Sequence, residues 1–182
     1  MSKRKQPDAV ELAVPVAAAD HVFGLATAPV TLVEYGDFEC PHCGAAHPIV
    51  KELLARMGKE IRFVFRNFPI ASIHPHATQA AEAAEAAGAQ GRFWEMHDAL
   101  FENQTALGDR ELVTYAEAVG VKRAQFVREL SSHAHAAKVR EDFMGGVRSG
   151  VNGTPTFFIN GLRHDDSFDL PTLKKAIQRA AE

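Results

Sequence analysis

The chain holds two cysteines, Cys40 and Cys43, in the stretch "GDFECPHCGAAHP" with Pro41 and His42 between them. Two thiols at this spacing offer half of a metal site, one structural crosslink, or a reversible redox pair. A single crosslink makes no disulfide scaffold. In a reducing compartment a lone pair is more often catalytic, sensing or metal-binding than structural. On a helix, positions i and i+3 are neighbours on one face, about 5–6 Å apart and within reach of a disulfide. Cys40 sits where a strand has ended and helical spacing begins. The first turn of a helix presents unpaired N–H groups and the positive end of its dipole, which stabilise a thiolate. Pro41 suits that turn, because its missing N–H has no partner to lose. Protonated His42 would add positive charge beside the sulfur. Such settings lower a cysteine pKa well below its ordinary value. We therefore expect Cys40 to be the exposed nucleophile and Cys43, one turn inside, to resolve the mixed disulfide. A low pKa also makes Cys40 a good leaving group, which favours the reduced pair and hence oxidation of partners.

Three acids, Glu34, Asp37 and Glu39, precede Cys40 closely, and negative charge there would raise its pKa. Asp37 and Glu39 read as solvated strand-end residues. Glu34 lies within the strand, and two readings stand side by side. It is either solvated like the others, or buried beneath the site, where it would relay a proton to or from Cys43. The second candidate element is "GTPTFF" (153–158), where Pro155 opens a strand far in sequence from the thiols. A cis Thr154–Pro155 bond would expose backbone groups for pairing with an extended substrate chain. An ordinary trans proline at a strand start is the alternative.

The elements that must position these residues follow from periodicity. "VTLVEY" (30–35) is a β-branched apolar run and reads as a buried strand. Ile49, Val50, Leu53, Leu54 and Met57 recur at helical spacing from Pro41, with Gly58 as a stop. "IRFVFR" (61–66) alternates as a strand. Together these make a βαβ unit. Helical patterns follow at 76–90, through Phe93, His97, Leu100 and Phe101, from an Asp109 cap to Gly120, and at 122–131 and 133–148. Asn160-Gly161 between apolar flanks signals a hairpin with positive φ at both central residues. A last helix is expected over 169–181, with Leu170, Leu173, Ile177 and Ala180 on one side. The expected organisation is an N-terminal tail (1–20), the first part of an α/β core (21–71), a helical insertion (72–149), and the second part of the core (150–182).

Composition bounds the function. Hydrophobic residues make up 46% and charged residues 24%, with a net charge of −3, so the chain is globular and lacks the basic face of a nucleic-acid binder. The Lys3-Arg4-Lys5 run reads as a solvated tail. Asp8, Glu11 and Pro15 interrupt any secretory signal, and no segment approaches a membrane span. The expectation is a cytoplasmic protein without membrane insertion; removal of a leader would place it outside the cytoplasm instead. No flavin or nicotinamide fingerprint appears, so no cofactor is expected.

"VTLVEYGDFECPHCG", "IRFVFRNFPI", "HPHATQAAEAA", "QGRFWEMHDALF" and "GVNGTPTFFING" together resemble the DsbA-like thioredoxin-fold oxidoreductases of the DsbA/BdbD type, from about Asp20 to Ala181. The resemblance implies a thioredoxin-like fold with an inserted helical domain and a redox-active pair at Cys40 and Cys43. It also implies a cis-proline at Pro155 preceded by Thr154, and an acid at Glu34, six residues before the first cysteine. Partners would be cysteine-containing proteins or peptides, with an external partner to recharge the pair. Asp166 stands where relatives often carry glycine. Three readings compete. A zinc site would draw on His74 and His76, or His42 and His47, but lacks finger spacing. A glutathione-using transferase of the same fold would have serine or a single cysteine at position 40. A peptide-binding holdase would use a groove wall that includes Trp94.

Overall fold

The computed structural model describes residues 10–182. The Lys3-Arg4-Lys5 run lies outside them. Five strands form one mixed sheet in the order β1-β3-β2-β4-β5. At its centre β2 (Val30–Gly36) and β3 (Ile61–Asn67) run parallel, joined by α1 (Pro41–Met57). β4 (Thr156–Ile159) and β5 (Leu162–His164) add antiparallel beyond β2, and β1 (His21–Phe23) pairs antiparallel with β3. Five helices intervene in sequence between β3 and β4: α2 (Ala77–Gly88), α3 (Phe93–Glu102), α4 (Asp109–Ala118), α5 (Arg123–Ser131) and α6 (Ala136–Arg148). α7 (Leu170–Ala181) closes the chain. This is the thioredoxin-like fold, with a mixed sheet and, among the described residues, seven helices.

The alternation of strand residues sorts the core into two faces. Leu32, Phe63, Phe65, Phe157 and Ile159 pack against α1, α7 and the buried sides of α2 to α5. Val33, Tyr35, Val64, Phe68 and Phe158 face the other way, onto Leu12, Val16 and Phe143 of α6. Asn160 and Gly161 have φ of 49° and 82°, the backbone that the hairpin signal requires.

Two expectations change, at Asp109 and at the start of α6. Residues 10–20, the described end of the expected tail, are fastened to the sheet, with Val16 packed on its core as the tail end was expected to pack. Leu12 N–H bonds Gly161 O, Arg163 N–H bonds Val10 O, and the carbonyls of Val14 and Pro15 accept from buried Arg66. Asp109 does not cap α4: Gly108 holds the N-cap position and Asp109 is the first helical residue, where its charge still suits the dipole. α6 begins at Ala136, because His133 turns the backbone to φ 52°.

Candidate active site

Cys40 is the N-cap residue of α1, in extended backbone, and Pro41 opens the first turn. The chain reaches this point from β2 through Gly36-Asp37-Phe38-Glu39. Gly36 is required by close approach: a Cβ there would lie 2.4 Å from the Phe65 ring. The loop is held by its acids, contrary to the expectation that Asp37 and Glu39 are solvated. Asp37 is 1% exposed. Its carboxylate accepts from the N–H groups of Glu39 and Ile70, both at 2.8 Å, and pairs with His74 Nδ1 at 2.7 Å. Glu39 takes His76, through N–H at 2.7 Å and Nδ1 at 2.8 Å. The "HPH" segment thus clamps the loop before the cysteines.

The two thiols, both free, sit in different surroundings. Cys40 is itself buried, at 4% exposure, so it is not the open residue that its place at a helix mouth suggests; Cys43 is fully enclosed. Pro41 and His42 are the exposed members of the motif. Cys40 is pulled down to about 5. The hydrogen bond from Cys43 is the largest cause; burial opposes it, and the Thr154 side chain and the backbone N–H groups of Cys43 and His42 add to the lowering. His42 therefore acts on the sulfur through its backbone. Cys43 is held well above the ordinary thiol range by burial first, then by Cys40 and the charge of Glu34, while the Asp37 N–H at 3.5 Å opposes weakly.

Glu34 is 3% exposed, which removes the solvated reading. Burial, then the charge on Cys40, pushes its carboxyl up to about 8. It lies between Phe65 and Phe157 on the α1 face of the sheet. Across the site, the Thr154–Pro155 peptide is cis, and the Thr154 carbonyl accepts from the Cys40 thiol at 3.4 Å. Apart from Cys40, the buried Thr154 hydroxyl has no hydrogen-bond partner among the described residues.

One participant was invisible in the sequence. Gln104, just beyond α3, donates its amide to the carbonyls of Phe38 and Cys40 at 2.9 and 2.8 Å. It can do so only because residue 44 is glycine, where a Cβ would lie 1.9 Å from the Gln104 Oε1. No local pattern links positions so far apart. Of the histidines proposed for zinc, His74 and His76 hold the acids, and among the described residues the cysteines join no cluster of three metal-ligating side chains. Trp94 is half-buried, packed on Phe23, Phe63 and His97 along an apolar cavity.

The thioredoxin family profile matches residues 17–179. Among solved structures, oxidised BdbD from Bacillus subtilis superposes with a TM-score of 0.84 at 25% identity, over 96% of this chain and 98% of that one. A thioredoxin-like oxidoreductase from Silicibacter pomeroyi gives 0.78 at 28% identity, over 88% and 91%. A curated relative, the Na(+)/H(+) antiporter NhaA 1 of Salinispora arenicola, is 48% identical over 94% of this chain, and the match spans about a quarter, 26%, of that protein. The chain belongs to the thioredoxin family, among its DsbA-like members.

Proposed function

We propose that the chain is a protein thiol–disulfide oxidoreductase, with Cys40 as nucleophile and Cys43 as resolving thiol. The observation that carries this reading is geometric: Cys40 caps α1 with Cys43 one turn inside, and its sulfur faces the Thr154 carbonyl at 3.4 Å. A thiolate at this place is stabilised without a metal ion.

In the oxidising direction a substrate thiolate attacks Cys40 Sγ of the Cys40–Cys43 disulfide. The S–S bond breaks and Cys43 leaves with the electron pair. Glu34, protonated at neutral pH, hands its proton to the departing sulfur. A second substrate thiolate attacks the substrate sulfur of the mixed disulfide and displaces Cys40 as thiolate. The substrate has then lost two electrons and the pair has gained them. In the reducing direction the Cys40 thiolate attacks a substrate disulfide and releases one substrate thiolate; Glu34, in its carboxylate form, takes the Cys43 proton, and Cys43 attacks Cys40 Sγ to release the second substrate thiolate. The low pKa of Cys40 stabilises the reduced pair and so favours oxidation of partners. The measured reduction potential decides the direction. Substrates are cysteine-containing proteins or peptides, laid in extended form beside Thr154 and Pro155, and an external partner recharges the pair.

Trapping tests the assignment. Cys43→Ser should accumulate mixed disulfides through Cys40, whereas Cys40→Ser should accumulate none. Equal trapping by both variants overturns it.

The antiporter relatives favour a specific partner class. A domain similar to this chain over 94% of its length forms about a quarter of a protein named as a Na(+)/H(+) antiporter. We infer that the chain exchanges disulfides with a membrane transporter. Capture of such a transporter by Cys43→Ser supports the inference, and a trapped set without membrane proteins refutes it.

A further inference from the structure

The middle of α1 meets α3 in a second cluster of chemically capable side chains, which the redox reaction does not use. His47 stands one turn beyond Cys43, and His97 and Asp98 are adjacent on α3. One ligand atom from each of the three lies within 4.8 Å of the others, and among the described residues this is the one group of three or more such side chains. All three line a cavity of about 270 Å³ together with Lys51 and the apolar side chains of Phe23, Val50, Leu54, Ala55, Phe63 and Trp94.

Neither histidine behaves as a settled core residue. His47 and His97 are 7% and 4% exposed, and among the described residues the Nε2 atom of each is buried without a hydrogen-bond partner. A buried polar atom left unpaired is costly, so the lone His47 Nε2, the one of the two that faces Asp98, requires a reason. The distances supply one. Asp98 Oδ1 stands 3.6 Å from His47 Nε2 and 3.1 Å from His97 Nδ1. Two ligand atoms on a tetrahedral zinc ion, each at about 2.0–2.1 Å from the metal, are about 3.3 Å apart. The other carboxylate oxygen, Oδ2, accepts from Lys51 Nζ at 2.8 Å. That bond leaves Oδ1 turned to the imidazoles, the outer support that ligating carboxylates use.

We propose that His47 Nε2, His97 Nδ1 and Asp98 Oδ1 form a binding site for a divalent zinc-class transition ion, with the remaining coordination position open to the cavity. Two imidazoles and one carboxylate suit zinc among the divalent ions and leave a place for water or an anion. In binding, His97 moves its ring proton from Nδ1 to Nε2, so the neutral ring stays neutral. Phe65, edge-on at 4.7 Å, is the aromatic neighbour beside that ring. The site is separate from the redox pair, and its test does not depend on turnover.

The full chain in its oxidised form is titrated with zinc sulfate by calorimetry, its two sulfurs tied in the disulfide and unable to bind metal. One equivalent should bind. Asp98→Asn and His47→Gln should each weaken binding roughly 100-fold or more, beyond the 10–100-fold that loss of an outer-shell group causes. Asp98 is partly exposed, so its amide variant should keep the wild-type melting temperature without zinc and lose the rise that zinc gives the wild type. Cobalt(II) in place of zinc should show visible d–d bands without a sulfur-to-metal charge-transfer band. No stoichiometric binding overturns the site. So does binding that survives either substitution, since that metal would sit on other groups such as His74 and His76.

Discussion

Glu34 and Arg66 are neighbours on adjacent strands, buried on opposite faces of one sheet, and they have opposite fates. Tyr35 pairs with Arg66 in the parallel register and Glu34 with Phe65, so the two charged side chains project to different layers. Arg66 is 3% exposed and satisfied on every side. It meets both oxygens of Asp20, at 2.8 and 2.9 Å, the carbonyls of Val14 and Pro15, and the Tyr35 hydroxyl. Burial pushes Asp20 up, but the guanidinium overrides it and holds the carboxyl below its usual range. Glu34 is equally buried, yet the causes acting on its carboxyl are burial and the negative Cys40, with no cation among them. One burial is matched by partners and fastens the N-terminal stretch to the sheet. The other is left unmatched beside two thiols, and its proton becomes transferable near neutral pH. Partners, rather than burial itself, separate a structural charge from a reactive one.

The largest expected effect breaks the structural half. Arg66→Met leaves Asp20 buried without its cation and should cost about 3–5 kcal/mol in urea unfolding. The thiolate absorbance of Cys40 should still titrate near 5, because Arg66 faces the other layer. A loss below 1 kcal/mol, or a displaced thiolate midpoint, would show that the two faces are not independent.

Glu34→Gln addresses the reactive half. Removing a positioned acid–base group should slow the Cys43 step roughly 100-fold at neutral pH, the low end for such groups. Stability should move in the other direction. Burial pushes the folded carboxyl up to about 8 from its ordinary 4.5. The unfolded chain therefore ionises first, and the wild type loses stability as pH rises from 4.5 through 8. The variant has no such loss. It should match the wild type below 4.5 and exceed it at 8. Parallel stability curves for the two proteins across that window would refute an unmatched, buried Glu34.

The contrast between these residues was only partly legible in the sequence. "VTLVEY", "IRFVFR" and Asn160-Gly161 follow local rules of alternation and turn chemistry, and the structure places strands and a hairpin there. The position of Cys40 and Cys43 at the head of α1 follows from the same kind of rule. β1 could not be read, because its three residues are too few to alternate and its pairing with β3 is distant in sequence. Residues 10–20 carry no periodic signal, since they are held by backbone bonds and by Arg66. Asp37 and Glu39 look like any strand-end acids until the His74–His76 segment is folded over them. Gln104 and the His47–His97–Asp98 cluster arise from packing between helices, which spacing along one helix does not encode.

His42 gives the smallest expected effect, and it tests the same principle at the thiol itself. The sequence offers its imidazole as a cation beside Cys40. In the structure that side chain is exposed, and its residue reaches the sulfur through a backbone N–H. Charge on an exposed group is screened by water, whereas a backbone donor persists whatever the side chain. His42→Ala should therefore leave the Cys40 midpoint near 5. Cys43→Ala, which deletes the largest favourable hydrogen bond, should move it upward. Titration of thiolate absorbance in the two reduced variants separates the cases. A midpoint that rises more in His42→Ala than in Cys43→Ala would return control to the imidazole and make the matched donors around the sulfur secondary.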